Sequence, residues 1–298
     1  MKKRTAVVGI GSAALAAAAV AKVRRALGDL TAAETGTLPN SMEYARWGDG
    51  AKSVLWIPGG PGSEIPHGLM GAFSALQFRA LLEDGYTVWW LSRRRHMPLG
   101  HSVKDMADDY ARAIRDSLGG RVDVVVGISY GGMIAQHLAA DHADLLDRVV
   151  LALSAARITD WGRDVDYRWA QARVAQNWAG AGRAMAEYFF PEPAQWRQRN
   201  VLGAVLSRAF TTDQVPGQDL RVEAEAEMTF DARDVLPRIR VPVLLISAER
   251  DMFFTPEIIE ETAAALKDCR TVRYPGIGHV RGAMSPRIVQ DVLEFASG

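Results

Sequence analysis

The sequence predicts an α/β fold, in which a mostly parallel sheet is flanked by helices and interrupted by a helical insertion. Three observations predict it. Short apolar segments alternate with amphipathic helix patterns from residue 40 to residue 154. The strand-like segments stop between residues 155 and 235, although helix patterns continue there. The alternation resumes from 236 to 298, as expected when both parts of the chain form one sheet covered on both faces.

The composition is that of an ordinary globular protein. Of the 298 residues, 48% are hydrophobic and 23% are charged, and 35 basic side chains balance 35 acidic ones. This balance leaves no net positive charge that would indicate a polyanion partner, so no nucleic-acid partner is expected. Cys269 is the one cysteine of the sequence. It has no partner for an internal disulfide, and it cannot supply a cysteine cluster for a metal.

The N-terminal segment has the pattern of a secretory signal or a membrane anchor. Basic residues 2–4 precede an apolar run over 5–21, which ends in Ala19-Val20-Ala21, and further basic residues follow over 22–25. If residues 1–25 act as a signal, the protein is exported or anchored to a membrane through residues 5–21. If residues 1–25 do not act as a signal, the protein is expected to be cytoplasmic.

The same segment has a second interpretation. Val7–Ala14 matches the G-x-G-x-x-A start of a dinucleotide-binding unit. That unit needs a second buried strand and an acidic residue about 20 positions later, and the following residues show no such strand. Residues 1–39 are therefore assigned to an N-terminal segment outside the folded core, with a small and polar linker over 28–40.

The remaining elements follow in order along the chain. Residues 42–47 and 53–57 have the pattern of strands, joined at Gly48-Asp49-Gly50 by a hairpin-like turn. The later patterns alternate between helix (H) and strand (E) on each side of residues 155–235. Before that segment they are 73–83 H, 87–91 E, 103–118 H, 122–126 E, 133–140 H and 148–153 E, and after it they are 241–246 E, 256–266 H, 270–274 E and 286–295 H. We therefore assign residues 40–154 and 236–298 to the core and residues 155–235 to a helical insertion.

The insertion contains many aromatic residues, which are Trp161, Tyr167, Trp169, Trp178, Tyr188, Phe189, Phe190 and Trp196. Such residues can line an apolar substrate pocket. They can equally pack the helices of the insertion against one another, and for most of them we expect this second role.

The central motif is Gly127-Ile128-Ser129-Tyr130-Gly131, which lies between a strand pattern and a helix pattern. G-x-S-x-G in this context is a nucleophile elbow, a sharp turn that exposes the serine hydroxyl above the sheet. Small neighbours are needed because the serine takes a strained conformation. The start of the following helix favours developing negative charge. Ser129 is therefore predicted to be a nucleophile.

A serine nucleophile needs a base and an acid that orients the base. In this type of fold the acid and then the histidine follow the serine along the chain. His279 comes after the last predicted strand, in a loop that suits the base. Asp251 follows the strand over 241–246, at the sheet edge where functional residues gather. Glu249 is the alternative acid.

Two backbone amides are expected to form an oxyanion hole. One belongs to Tyr130, the residue after the nucleophile. The other comes from the glycine-rich turn Pro58-Gly59-Gly60-Pro61-Gly62-Ser63, which follows an early strand. Gly60 is the preferred donor and Gly59 the next, because glycine lets a bare amide approach the substrate oxygen.

These motifs resemble the α/β-hydrolase superfamily over about residues 40–298. The resemblance implies a helical cap at 155–235 and a serine hydrolase with the triad Ser129, Asp251 and His279. A serine at position 129 argues against dehalogenase and epoxide-hydrolase chemistry. The turn is similar to the HGGPG of proline iminopeptidases, except that Pro58 stands in place of the histidine. No cofactor is implied, and the expected partner is a small-molecule substrate.

The predicted function is hydrolysis of an ester or related acyl bond in a small, fairly apolar substrate. Three alternatives stay open: an aminopeptidase, acyl transfer or carbon–carbon bond hydrolysis by the same triad, and a non-catalytic binding module. The aminopeptidase needs a cap carboxylate for the substrate amine, and the candidates are Glu187, Glu192, Glu223, Glu225 and Glu227. The sequence predicts no oligomeric state.

Overall fold

A computed structural model describes residues 34–209 and 215–298, and these residues form an eight-stranded sheet with helices on both faces. The strands are β1 (Glu34–Thr37), β2 (Met42–Trp47), β3 (Lys52–Ile57), β4 (Tyr86–Arg94), β5 (Val122–Ile128), β6 (Leu146–Ala152), β7 (Val243–Ala248) and β8 (Cys269–Tyr274). Their order across the sheet is β1-β2-β4-β3-β5-β6-β7-β8. The two pairings of β2, with β1 and with β4, are antiparallel, and all other neighbours are parallel. The prediction of a mostly parallel sheet is confirmed.

The predicted hairpin between the second and third strands is wrong. Strands β2 and β3 are consecutive in the chain, but β4 lies between them and pairs with both. The burial patterns give the reason. Residues 54–57 of β3 are all buried, which suits a central parallel strand, whereas β2 is partly exposed and suits a position near the edge.

The predicted linker over 28–40 also needs correction, because Glu34–Thr37 forms the edge strand β1. No residue of this strand is buried, so the sequence carries no apolar alternation there. Backbone pairing with β2 forms the strand. Glu34 adds side-chain contacts to its neighbour, by accepting from the Tyr44 hydroxyl and by pairing with Arg46 at 2.7 Å.

Helices cover both faces of the sheet and divide the core into two layers. The helices of the core are α1 (Gly68–Glu83), α2 (Val103–Ser117), α3 (Tyr130–Asp141), α8 (Pro256–Ala265), α9 (His279–Ala283) and α10 (Arg287–Ala296). Along β5, Val124 and Val126 face the layer that contains Phe78 of α1 and Val292 of α10, whereas Val125 faces the layer of α2 and α3. Burial of each strand on both faces explains the continuous apolar runs in the sequence.

Four further helices lie between β6 and β7. They are α4 (Asp160–Val174), α5 (Trp178–Phe189), α6 (Trp196–Ala209) and α7 (Gly217–Met228). Helix α4 packs against α5 and α7, and α5 packs against α6. Thr159 caps the start of α4, because its side chain accepts the Gly162 amide.

The interpretations of residues 1–25 as signal, anchor or dinucleotide-binding start fall outside the described residues. Within residues 34–209 and 215–298, no helix has both the length and the apolar character that crossing a membrane requires.

Candidate active site

Ser129 occupies the turn between β5 and α3. Its backbone has φ 52° and ψ −116°, a strained combination for a residue with a side chain. The Ser129 amide donates to Ala152 O at 2.8 Å, which fixes the turn to the neighbouring strand β6. A Cβ on Gly131 would lie 2.1 Å from the carbonyl oxygen of Ile57. The elbow therefore requires glycine there, as its close contact with β3 leaves no space.

His279 is the first residue of α9, after the loop that follows β8. Its Nε2 lies 2.9 Å from Ser129 Oγ, within hydrogen-bond distance. The imidazole packs against Phe253, with ring centroids 4.5 Å apart, and is 9% exposed. The structure thus holds the predicted base against the predicted nucleophile by packing as well as by polar contact.

Asp251 lies in the loop after β7, and its Oδ2 is 2.7 Å from His279 Nδ1. Its Oδ1 accepts the backbone amides of Phe253 and Phe254 at 2.8 and 3.1 Å. Both carboxylate oxygens are therefore engaged, so the orientation of the side chain is fixed. The alternative acid, Glu249, instead accepts the Gly276 amide at 2.5 Å.

The glycine-rich turn lies directly against the elbow. A Cβ on Gly59 would be 3.1 Å from the Cβ of Ser129, which shows how closely the two segments approach. Gly60 follows with φ +65°, and a Cβ there would meet no atom within 4 Å. Tyr130 begins α3, where the first amides have no partner within the helix. The two residues predicted to supply oxyanion donors thus lie on segments that meet at Ser129.

A buried ion pair beside this turn was not predicted. Arg93 of β4 and Glu223 of α7 have fully buried side chains, and Arg93 Nε lies 2.9 Å from Glu223 Oε1. The sequence shows a run of arginines over 93–95 at the end of an apolar strand. Three consecutive arginines are unusual at the end of an apolar strand, but the sequence does not show that Arg93 pairs with a residue of the insertion.

A second buried polar cluster, also missed, contains Asp166, Tyr188 and Glu227. The Tyr188 hydroxyl donates to Asp166, and the Asp166 and Glu227 carboxyl groups hydrogen-bond each other. Since a carboxylate cannot donate, the two carboxyl groups must share a proton. Burial raises the pKa of Asp166 to about 6. Burial, followed by the charge of Asp166, raises the pKa of Glu227 well above its usual range.

Two cavities adjoin the site, and Tyr188 lines both. The larger, of about 660 Å³, lies beside His279 and is also lined by Trp161, Phe189 and Phe253. The smaller, of about 250 Å³, is lined by Gly59, Gly60, Pro61, Gly62, Glu64, Trp169, Arg173 and Met185 in addition to Tyr188. Helices of the insertion and loops of the core therefore line both cavities together.

The aromatic residues of the insertion divide between the two expected roles. Trp161 and Tyr188 pack edge-on against Phe253, with centroid separations of 5.0 and 5.2 Å, and so connect the insertion to His279. Trp169 lines the smaller cavity. Trp196, by contrast, is 55% exposed and lies outside both cavities.

Four of the five glutamates considered for an aminopeptidase are engaged with an arginine or with another carboxyl group. Glu187, Glu223 and Glu225 pair with arginines, and Glu227 shares a proton with Asp166. Glu192 lines the larger cavity, beside His279. The aminopeptidase alternative therefore depends mainly on Glu192.

Comparison with known proteins identifies the family. The model of the Alpha/beta hydrolase family matches residues 54–289, which include the glycine-rich turn, the elbow, Asp251 and His279. A protein of Caulobacter sp. strain K31 named "Putative carbamate hydrolase RutD" is 28% identical over 260 residues, which cover 81% of this chain and 94% of that protein.

Another curated protein and a solved structure are also similar to this chain. The pimeloyl-(acyl-carrier protein) methyl ester esterase of Chromobacterium violaceum is 30% identical over 166 residues, covering 52% of this chain and 62% of the esterase. The crystal structure of the enol-lactonase from Burkholderia xenovorans LB400 superposes with a TM-score of 0.66 at 23% identity, covering 89% of this chain and 100% of the lactonase. The lactonase shares the fold.

Proposed function

The chain belongs to the alpha/beta hydrolase family, and from this premise we propose that it is a serine hydrolase that cleaves an ester or related acyl bond of a small, fairly apolar substrate. One observation supports the proposal most. A continuous line of hydrogen-bond distances runs from Ser129 Oγ through the His279 ring to Asp251, at 2.9 and 2.7 Å. A serine becomes a useful nucleophile when a base takes its proton and an acid stabilises the resulting imidazolium.

In the first half of the reaction, Ser129 Oγ attacks the substrate carbonyl carbon and His279 Nε2 takes the hydroxyl proton. Asp251 keeps the other proton of the ring on Nδ1 and stabilises the imidazolium. The amides of Gly60 and Tyr130 donate to the carbonyl oxygen as it becomes an oxyanion. His279 then gives its proton to the leaving oxygen, which departs as an alcohol and leaves an acyl group on Ser129.

In the second half, water replaces the alcohol. His279 takes a proton from the water, and the hydroxide attacks the acyl carbonyl while the same two amides hold the oxyanion. The collapse of this intermediate returns the proton to Ser129 Oγ and releases a carboxylic acid. The residues therefore return to their starting protonation without any cofactor.

The positions of the two cavities support a proposed orientation of the substrate. His279 must reach the leaving oxygen, so the alcohol part occupies the larger cavity beside that ring. The acyl chain then extends past Gly60 into the smaller cavity of about 250 Å³. This arrangement favours short acyl chains on larger alcohols.

Carbamate esters are a second substrate class to test, because the Caulobacter relative carries a carbamate hydrolase name. A carbamate ester presents the same carbonyl group and the same alcohol leaving group to a serine nucleophile. Its nitrogen takes the place of the acyl-side carbon atom that is bonded to the carbonyl carbon of an ester. The same triad and the same oxyanion donors would therefore act on it.

The test is labelling with a fluorescent fluorophosphonate, followed by mass analysis of the labelled peptide. We expect label at Ser129 in the wild type, none in Ser129→Ala or His279→Ala, and slow labelling in Asp251→Asn. Hydrolysis of p-nitrophenyl acetate, butyrate and octanoate, an aryl carbamate and proline p-nitroanilide then ranks the substrate classes.

Two results would contradict the proposal. One is the absence of label in wild-type protein that circular dichroism shows to be folded, and the other is label at a residue different from Ser129. Cleavage of the proline anilide in preference to every ester would favour the aminopeptidase instead.

A further inference from the structure

The buried ion pair between Arg93 and Glu223 joins the core to the helical insertion. Arg93 belongs to β4, whereas Glu223 lies on α7, and neither side chain is exposed. Burial disfavours the charged guanidinium, but the charge and hydrogen bond of Glu223, together with Tyr110 and Tyr130, raise the pKa of Arg93. In an ion pair buried this deeply, the remaining polar atoms of both side chains also need partners.

Those partners belong to the glycine-rich turn. Arg93 Nη1 donates to Pro58 O at 3.0 Å, and Nη2 donates to Gly60 O. Glu223 Oε2 accepts the Gly62 amide. The two carbonyl groups flank the peptide group that contains the Gly60 N–H. The guanidinium thus fixes the peptide groups on both sides of a proposed oxyanion donor.

The same pair also holds the second proposed donor. The Arg93 guanidinium lies over the Tyr130 ring, 4.6 Å from its centroid, and the Tyr130 hydroxyl donates to the backbone carbonyl of Glu223 at 2.8 Å. The Arg93 amide further donates to Ser63 Oγ at 2.8 Å, at the end of the turn. Both segments that meet at Ser129 are therefore anchored to one ion pair.

We propose that Arg93 and Glu223 are positioning residues for the oxyanion hole, so that the helical insertion takes part in the chemical step through α7. This inference rests on the proposed function of Ser129. Oxyanion donors stabilise the transition state only when they are held rigidly where the charge develops. A turn released from the ion pair would bind substrate as before but stabilise the tetrahedral intermediate less well.

The experiment compares two variants of the pair with a matched control. Glu223→Gln removes the charge at nearly constant size. The double variant Arg93→Met/Glu223→Leu removes both charges, which leaves no unpaired charge in the interior. The control is Asp219→Asn, since Asp219 is a fully buried acid on the same helix. Its carboxylate accepts the His96 and Met97 amides, which belong to a different loop.

We expect kcat to fall about 10- to 100-fold in both variants of the pair while KM changes less than about threefold, as for loss of a transition-state interaction. The inhibition constant of a boronic acid that forms a tetrahedral adduct should rise in parallel. Amide hydrogen exchange over residues 58–64 should accelerate in the same variants. Asp219→Asn should leave kcat, boronic acid affinity and exchange over 58–64 within about threefold of the wild type.

The inference is overturned if both variants of the pair retain wild-type kcat, or if they lose activity only to the extent that Asp219→Asn does. Unchanged exchange over residues 58–64 in Glu223→Gln would also overturn it. A folded wild type that takes no fluorophosphonate would instead contradict the proposed function. In that case the exchange comparison still decides whether the ion pair holds the turn.

Discussion

The carboxylate of Asp251 is shared between His279 and the backbone of its own loop. One oxygen lies 2.7 Å from His279 Nδ1, and the other accepts the Phe253 and Phe254 amides. We expect Asp251→Asn to keep the loop folded, because an amide oxygen can still accept those two bonds. The amide nitrogen would then face the ring and favour the wrong tautomer, so kcat should fall by roughly 10³- to 10⁴-fold.

Glu249→Gln is the matched control for that measurement. Glu249 lies two residues earlier and accepts the Gly276 amide, an interaction that glutamine can keep. Its kcat on a p-nitrophenyl ester should stay within about threefold of the wild type, since it touches no reacting group. Equal losses in Asp251→Asn and Glu249→Gln would mean that the loop, rather than the aspartate, is responsible.

Two glycines of the site should respond differently to alanine. In Gly131→Ala the new methyl group would lie 2.1 Å from the Ile57 carbonyl oxygen, which should destabilise the protein by about 3 kcal/mol or more. In Gly60→Ala the space is open, so the cost is the left-handed backbone at φ +65°, about 1–2 kcal/mol. Urea unfolding of both variants measures the difference. Similar stabilities would contradict the close contact at the elbow.

The buried carboxyl pair should make stability depend on pH. Burial raises the pKa of Asp166 from an ordinary 3.8 to about 6, so the folded protein holds a proton that the unfolded chain releases. This contribution is fully present below pH 3.8 and is lost as the pH rises through about 6. Glu227 shifts in the same direction, which extends the loss to higher pH. The contribution of this pair to the unfolding free energy should therefore decrease as the pH is raised from 4 to 8.

Glu227→Gln tests the origin of that decline. The glutamine amide can donate to Asp166 at any pH and so replaces the shared proton. We expect the unfolding free energy of this variant to fall less steeply than that of the wild type over the same range. Parallel curves for the two proteins would assign the pH dependence to other groups.

Cys269 should be unreactive. Burial, followed by the charge of Asp268, raises the pKa of its thiol to about 11, so the thiolate is scarce near neutral pH. Alkylation by iodoacetamide at pH 7.5 should be roughly tenfold slower than that of an ordinary free thiol, or slower still. Cys269→Ser should hydrolyse a p-nitrophenyl ester at the same rate as the wild type. Inactivation by alkylation in the wild type, absent in Cys269→Ser, would show that this region affects the site.

Selectivity for acyl length should change when the smaller cavity is filled. Met185 lines that cavity together with Gly60, so Met185→Trp should lower kcat/KM for octanoate esters about tenfold more than for acetate esters. Met252 lines the larger cavity, beside His279. Met252→Trp should instead alter selectivity for the alcohol. If Met185→Trp altered selectivity for the alcohol and Met252→Trp altered selectivity for acyl length, the acyl chain would occupy the larger cavity and the alcohol the smaller one.

The sequence predicts best those features that depend on neighbours in the chain. The elbow at Ser129 is local, because strand, glycines and helix are consecutive, and the two loops that carry Asp251 and His279 follow recognisable strands. The contacts among these three residues were then expected from the elbow motif, from the positions of the two loops and from the chain order of the acid and the histidine. Their roles in catalysis stay predictions until the labelling and kinetic measurements are made.

Features that depend on distant partners could not be predicted in this way. Strand β1 has no apolar signal of its own, since pairing with β2 forms it. The position of β4 between β2 and β3 depends on which strand is buried on both faces, which a local turn motif does not determine. Arg93 and Glu223 meet only because α7 packs against the core, and each residue alone resembles an ordinary surface charge.

Attachment of α7 to the glycine-rich turn has a consequence for protein engineering. Helical lids of hydrolases are attractive modules for chimeras, because exchanging a lid can change substrate selectivity while the catalytic core stays the same. In this protein a graft that replaced α7 without an acid at position 223 would leave Arg93 buried and uncompensated. Recombination of lids should therefore succeed only when residues 93 and 223 are inherited together.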